Sequence, residues 1–302
     1  EYDLFHEGLI VYTYLHLAPE PALTKALLDK KVIGIAYETV QLDNGFLPLL
    51  APMSEIAGRM ATQVGAQMLT KIEGGMGLLM GGTAGVQAAH VVIVGAGTVG
   101  LSAAKVAMGM GARVTILDSN LFRLRQIDDL YGGRIQTLAS NAFNIAAAVK
   151  EADLLVGSVL IPGALTPKLV TEAMVKTMKK GSAIVDVAID QGGCIEVTAK
   201  HGATYHDNPT FMYEGIVCYS VGNMPGAVAR TSTFTLTNAT MPYMIDLANK
   251  GWKKACQDDK ALARGINTYD GKVYFKGQDV TKRTADMRKT IGRVISVVFQ
   301  DP

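Results

Sequence analysis

From Val91 onward, short β-branched runs alternate with amphipathic stretches, and this alternation restricts the possible folds more than any other feature of the chain. The runs are VVIV (Val91 to Val94), VTIL (Val114 to Leu117), DLLVGSVL (Asp153 to Leu160), SAIVDVAI (Ser182 to Ile189) and IVCYSV (Ile216 to Val221). Between them lie helical candidates near Thr98 to Met110, Leu121 to Tyr131, Ala142 to Glu151 and Pro167 to Met178. Repeated strand, helix, strand predicts right-handed βαβ units and a parallel sheet covered on both faces. Apolar residues make up 49% of the 302 and charged residues 19%, so there is enough apolar side chain for substantial cores, and disorder and low-complexity tracts are excluded. A chain of this length favours two lobes over one.

Two long helical patterns flank the alternating block. One follows Pro52, from Ser54 to about Ile72, and the other follows Asn238 through Ala248, with Pro242 placed in its first turn or kinking it. Both read as connectors, which divides the chain into residues 1–50 of a first lobe, an inserted domain over 51–226, and a return to the first lobe over 227–302. The glycine-rich stretch Gly74 to Gly85 has neither a preceding strand nor a Lys-Ser or Lys-Thr ending, so a connection with special backbone angles is favoured over a phosphate loop. Leu9 to Leu17 reads as a packed strand at the very start of the chain. With no initiator Met, the expectation is that the sequence begins inside a longer protein.

VVIVGAGTVG carries the most specific motif. Gly95, Gly97 and Gly100 give GxGxxG directly after a strand and at the opening of a helix, and Asp118 ends the next strand, 18 residues beyond Gly100. In this arrangement the first glycine allows a tight turn, the second lets a pyrophosphate approach the backbone, and the third lets helix and strand pack closely. The helix N-terminus offers free N–H donors, and the acid accepts the ribose hydroxyls. The fold expected is a doubly wound Rossmann sheet of α/β class, inserted into a second, discontinuous α/β domain. Asp118 would repel a 2′-phosphate, so NAD rather than NADP is the cofactor expected. Arg123 is the nearby cation, either a solvated helix charge or an adenine or phosphate contact.

Composition narrows the partners. Lys and Arg total 29 against 27 Asp and Glu, a net +2, so no bulk field is available to hold nucleic acid or an anionic membrane. Cys194, Cys218 and Cys256 show no disulfide or metal-ligand spacing, so neither a disulfide framework nor a structural zinc site is supported, and a reducing cytoplasm fits best. No apolar run reaches the length of a membrane span, and the early charges do not suit a secretory signal.

Two further residues invite chemistry. Asp190 closes the run SAIVDVAI and opens Asp190-Gln191-Gly192-Gly193, at the carboxyl end of a strand where ligands of open α/β sheets bind; a turn-forming aspartate is the alternative. Asp186, within the run, needs a hydrogen-bond partner to be explained. His16, in the apolar stretch VYTYLHLAPEP, either satisfies a hydrogen bond in the core or faces the cleft between the lobes as an acid.

The segments YTYLHLAPEPALTKALL, IAYETVQ, LPLLAPMSEIAGRMATQVGAQ, VVIVGAGTVG, VDVAIDQGGCIE, VGNMPGAVARTSTFTLTNATMPY and GWKKACQDDKALARGINTYDGKV together resemble the bacterial alanine dehydrogenases, over nearly the whole chain. The resemblance implies reversible NAD-linked oxidative deamination of L-alanine to pyruvate and ammonium by a cytoplasmic homohexamer. It implies that His16 hydrogen-bonds the substrate carbonyl and can supply a proton, and that Asp190 activates the water that adds to the imine. It also implies that Ser54, Val99, Asp118, Arg123, Ser140, Leu160, Val221, Asn223 and Met224 line the cofactor. The family's substrate-holding arginine and lysine have no counterpart in this sequence, so the chain as it stands is expected to bind NAD but to deaminate alanine poorly. The nucleotide-binding subunit of a proton-pumping transhydrogenase and a non-catalytic NAD-binding module are the competing readings; TYLHLAPEP and NATMPYMIDLANKGW favour the dehydrogenase over the first.

Overall fold

The computed structural model describes residues 2–17, 20–159 and 166–281. They form two compact units: residues up to Met53 together with those from Arg230, and residues from Ser54 to Ala229.

The first unit opens with β1 (Ile10–Thr13), α1 (Pro21–Asp29) and β2 (Ile33–Ala36), the two strands pairing in parallel. Pro21 occupies the first helical position, where a missing N–H leaves nothing unsatisfied. β1 is shorter than the run Leu9 to Leu17 suggested, and Leu15 beyond it packs with Leu27, Val32 and Ala36 in a small core. The next helix, α2, spans Ala51–Met68, so Pro52 and Ser54 both lie within its first turn instead of before it.

The second unit is built on a seven-stranded sheet. In chain order its elements are β3 (His90–Val94), α3 (Thr98–Gly109), β4 (Arg113–Asp118), α4 (Leu121–Tyr131), β5 (Ile135–Ala139), α5 (Ala142–Glu151), β6 (Leu154–Gly157), α6 (Glu172–Val175), β7 (Ala183–Asp186), α7 (Glu196–His201), β8 (Thr210–Tyr213) and β9 (Ile216–Tyr219). The spatial order is β5-β4-β3-β6-β7-β9-β8, parallel except for the β8–β9 hairpin. Strand order reverses between β3 and β6, the switch point at which an open sheet of this kind leaves a crevice beyond its carboxyl ends. The central strands are wholly apolar where they are buried, with Val91 to Val94 and Leu154 to Val156 all solvent-free, as expected of a sheet covered on both faces. Asn120 and Asn141 cap α4 and α5, each accepting the backbone N–H three residues on. Gly58 and Gly65 let α2 settle onto this unit, because a Cβ at either would sit 2.1 Å from the Val99 carbonyl oxygen or 2.5 Å from the Leu154 side chain.

One local expectation fails for an identifiable reason, two strands form where none was expected, and the glycine-rich stretch is the connection with special backbone angles that its sequence suggests. Residues 167–171 are not helical: Leu169 and Val170 both donate their N–H to Cys194 O, and only Glu172–Val175 coils. Two strands, β5 and β8, come from IQTLA and TFMY, short segments at the two edges of the sheet whose mostly half-exposed residues carry little periodic signal. The glycine-rich stretch is a turn system with Gly74, Gly77, Gly82 and Gly85 at positive φ, and Met80 O accepts from Ala89 N at 2.9 Å.

The chain returns to the first unit through α8 (Ala229–Asp258), α9 (Lys260–Arg264), β10 (Ile266–Tyr269), β11 (Lys272–Phe275) and β12 (Gln278–Asp279). α8 begins well before Asn238, carries Pro242 in its interior, and is broken at Gly251 (φ 72°, ψ 154°). β10 lies antiparallel to β2, so the sheet β1-β2-β10-β11-β12 is assembled from both ends of the sequence. The buried Thr268 hydroxyl fixes that junction, accepting from Gly34 N at 3.0 Å and donating to Val32 O at 3.1 Å. Among the described residues, no helix is long and apolar enough to cross a membrane and no cluster of His, Cys, Asp and Glu could hold a metal ion. All three cysteines are free thiols.

Candidate functional site

The turn after β3 is held from several directions. Gly95 has φ +105°, and a Cβ there would lie 2.9 Å from Ser158 O; one at Gly100 would lie 1.9 Å from Gly95 O. At Gly97 a Cβ would meet nothing within 4 Å. The outer two glycines are therefore required by the protein's own packing, whereas Gly97 leaves open space above the backbone. Gly97 is also the N-cap of α3 and provides no side-chain cap, which leaves the first N–H groups of that helix for a ligand.

The peptide of Ala96 is gripped on both sides. Asp118 Oδ2 accepts its N–H at 2.7 Å while Arg123 Nε donates to its carbonyl at 2.9 Å. Arg123 is thus neither a freely solvated charge nor wholly available to a nucleotide. Asp118 Oδ1 accepts from Asn120 N at 2.8 Å, and Ser140 N donates to Asp118 O at 2.9 Å, which brings the ends of β4 and β5 to the same loop. Val99, 8% exposed, lies in the first turn of α3, and Ser54 lies one turn before Gly58, the α2 glycine that abuts the Val99 carbonyl. Ser158, which motif reading passed over, donates its hydroxyl to Val94 O (2.9 Å) and shares a 3.0 Å contact with Gly95 O. It was legible only as a polar residue closing an apolar strand.

Asp190 does not end a strand. β7 stops at Asp186, and Asp190 sits in the following 3-10 turn, Val187–Gln191, exposed at its tip. Asp186 is the anchor of that turn. Fully buried, its carboxylate accepts from Ala188 N, Cys194 N and Ile195 N and, at 2.5 Å, from the Thr198 hydroxyl. Burial opposes the ionised form of Asp186 and pushes its pKa up, while these donors pull it back. Asp190 Oδ2 in turn accepts from Asn223 N at 3.3 Å, and a Cβ at Gly222 would come within 2.8 Å of Asp190 Oδ1. Asn223 adopts a left-handed conformation (φ 52°) and opens a short turn beginning at the buried Met224, just past the buried Val221. Asp190, Val221, Asn223 and Met224 therefore gather at the carboxyl ends of β7 and β9. Next to Asp190, Gln191 Oε1 is buried with no hydrogen-bond partner among the described residues. Leu160 lies outside the described residues.

His16 belongs to the first unit and is not a core histidine: 63% of its side chain is exposed. Its backbone is left-handed (φ 46°), a conformation uncommon for a side chain of this size. Glu38 holds it there, accepting the N–H of both Leu15 (3.1 Å) and His16 (2.7 Å), with the imidazole Nδ1 3.9 Å from the same carboxylate. The ring stacks on Tyr14 at 5.7 Å, and Tyr14 donates its hydroxyl to Leu49 O at 2.6 Å. Burial, followed by the neighbouring charge of Glu38, raises the pKa of Tyr14, so that phenol stays protonated. Glu38 lies in the segment IAYETVQ, but nothing in its spacing marked it for a role beside His16.

A dinucleotide fits the second unit on three counts: the open space at Gly97, the uncapped start of α3 and the carboxylate of Asp118 beside the turn. The fold and this loop define a Rossmann-type member of the doubly wound α/β proteins. Residues 61–276 match the model of the alanine dehydrogenase/PNT C-terminal domain, and residues 1–57 match that of the N-terminal domain. An alanine dehydrogenase of Bilophila wadsworthia is 93% identical over 281 residues, covering 92% of this chain and 74% of the relative, and one of Methanococcus maripaludis is 63% identical over 276 residues, covering 91% and 74%. A solved L-alanine dehydrogenase superposes with a TM-score of 0.88 at 45% identity, covering 99% of this chain and 78% of its own. A transhydrogenase from Sinorhizobium meliloti shares the fold (TM-score 0.72, 22% identity, 91% and 75% covered). The chain belongs to the alanine dehydrogenase/PNT family.

Proposed function

We propose that the protein is an NAD-dependent oxidoreductase that converts L-alanine reversibly to pyruvate and ammonium. The observation that carries this reading is the 93% identity to an alanine dehydrogenase across 281 residues; the intact glycine turn and the supported Asp190 turn agree with it. Bound at Gly95, Gly97, Gly100 and Asp118, with Val99, Arg123, Ser140, Ser54, Leu160, Val221, Asn223 and Met224 around it, NAD would supply a nicotinamide ring that accepts hydride from the alanine α-carbon.

The protein's own part is positioning and proton handling. Asp190, exposed at its turn and steadied by Asn223 N, accepts a proton from the water that attacks the imine carbon, and collapse of the resulting carbinolamine releases ammonium and leaves pyruvate. His16, presented to solvent by Glu38 and Tyr14, hydrogen-bonds the carbonyl oxygen as it forms and can donate or take up its proton. Family likeness also supports a homohexamer, which light scattering on the purified protein would check.

Turnover is tested by NADH formation from L-alanine in the full-length protein. Asp190→Asn keeps the side chain's shape and removes its basicity, so it should lower turnover by about 100-fold or more with NAD affinity retained. Undiminished turnover would return Asp190 to a turn-forming role, and no NADH formation by the wild type would remove the alanine assignment.

A further inference from the structure

We infer that Lys168 is a positioning residue for Asp190, acting through the backbone of the turn that carries it. The inference rests on the proposed role of Asp190 and extends it to a side chain that motif reading did not single out. Lys168 Nζ donates to the carbonyl oxygen of Gly192 and, at 2.7 Å, to that of Gly193. These two glycines are the exit of the Asp190 turn, and both have positive φ, 87° and 74°. Consecutive glycines with left-handed backbones are the most freely rotating joint a turn can contain. An ammonium bridging both carbonyls ties the two peptide planes to each other just past the end of the 3-10 turn.

The backbone that carries the lysine is itself fixed in place. Thr166 N donates to Gln191 O at 3.1 Å, Leu169 N and Val170 N donate to Cys194 O, and Val170 bridges Ile195. Lys168 is thus carried on a segment already laced to the loop it supports. The turn is held on its inner side by the buried Asp186 carboxylate, which accepts from Ala188 N at its entry and from Cys194 N and Ile195 N beyond its exit. The carbonyls of Gly192 and Gly193 receive no help from Asp186, which can only accept. Lys168 supplies the donor that Asp186 cannot, and with it the orientation of Asp190, two residues before Gly192. A base whose position wanders by about an ångström loses much of its rate advantage while substrate binding is scarcely touched.

The test compares Lys168→Met, Lys168→Arg, Asp190→Asn and Lys168→Met combined with Asp190→Asn in the full-length protein, reading kcat and KM for L-alanine, NAD affinity and melting temperature. Lys168→Met keeps the stem and deletes the donors; it should lower kcat about tenfold with KM for alanine and NAD affinity within about twofold. Lys168→Arg, which restores donors, should recover most of the loss. Added to Asp190→Asn, Lys168→Met should cost no further turnover, because its effect passes through Asp190. Full multiplication of the two losses, an unchanged kcat in Lys168→Met, or a melting temperature that falls in step with kcat would overturn the inference while leaving the role of Asp190 standing. Unchanged turnover in Asp190→Asn alone would overturn both.

Discussion

Gly97 and Gly100 stand three residues apart in one motif and answer to different demands. Ala at position 100 would put a carbon 1.9 Å from Gly95 O, so Gly100→Ala should fail to fold properly or melt far below the wild type. Gly97 has open space and an extended backbone (φ −69°, ψ −164°) that Ala tolerates, so Gly97→Ala should keep its melting temperature yet bind NAD at least tenfold more weakly, about 1.4 kcal/mol. Calorimetric titration beside a thermal melt checks both, and a Gly97→Ala variant with wild-type NAD affinity would contradict the proposed site. Asp118→Ala should weaken NAD and narrow its advantage over NADP, since the carboxylate that repels a 2′-phosphate is gone; equal affinities of the wild type for the two cofactors would remove Asp118 from the ribose role. The glycines and Asp118 were legible because their spacing is dictated by local backbone geometry. Asp186 was legible only as a puzzle, because its donors, Cys194, Ile195 and Thr198, lie eight to twelve residues away, from the end of the following loop into α7, where no periodicity links them to it. The pairing of Glu38 was hidden for the same reason: its partners, Leu15 and His16, are more than twenty residues earlier.

Helices and strands were readable to the extent that they carried a period of their own. α4 and α5 begin and end where their asparagine caps and apolar spacing put them, and β3, β4, β6 and β7 are β-branched runs buried on both faces. α6 is shorter than its sequence suggests because Leu169 and Val170, helical in spacing, are engaged with the loop after β7. α8 is longer than its sequence suggests because Pro242 reads as a helix start, yet the helix runs through it and breaks at Gly251. The short α6 is secured instead by charge. Glu172 receives Lys176 at 2.8 Å, Lys200 of α7 at 2.7 Å and the Tyr213 hydroxyl of β8 at 2.6 Å, and the hydrogen bonds from Lys176, Lys200 and Tyr213, in that order, hold its carboxyl down to about 2 from an ordinary 4.5. A depressed carboxyl pKa contributes stability above the unfolded value that disappears as pH falls through the folded one. Glu172→Gln should therefore melt below the wild type at neutral pH, with the gap closing as pH is lowered from about 4.5 toward 2 and shrinking in high salt. A gap independent of pH would mean that the carboxylate's charge contributes nothing there.

The polypeptide builds its two units by different routes, and ligand binding should expose the difference. The sheet of the first unit joins β2 to β10 across more than two hundred residues, whereas the described residues of the second all fall between Ser54 and Ala229 and include the whole glycine turn with Asp118, Ser158 and the Asp190 turn. A ligand that binds only the native state stabilises it by RT ln(1 + [L]/Kd), about 2.7 kcal/mol at a hundredfold excess over Kd. NAD without alanine should therefore slow amide exchange across Gly95 to Leu101 and Asp118 to Asn120, where the turn and the start of α3 meet phosphate and ribose. The amides of β2 and β10, which form no part of the proposed dinucleotide site, should exchange at unchanged rates unless they open only through global unfolding. NADP at the same concentration should give weaker protection in the same segments, because Asp118 opposes the extra phosphate. Protection by NAD that appeared first in β2 and β10 would place the dinucleotide away from the glycine turn and undo the assignment of the second unit as its binding domain, whereas NADP protection equal to that of NAD would leave the site standing and remove only the discrimination assigned to Asp118.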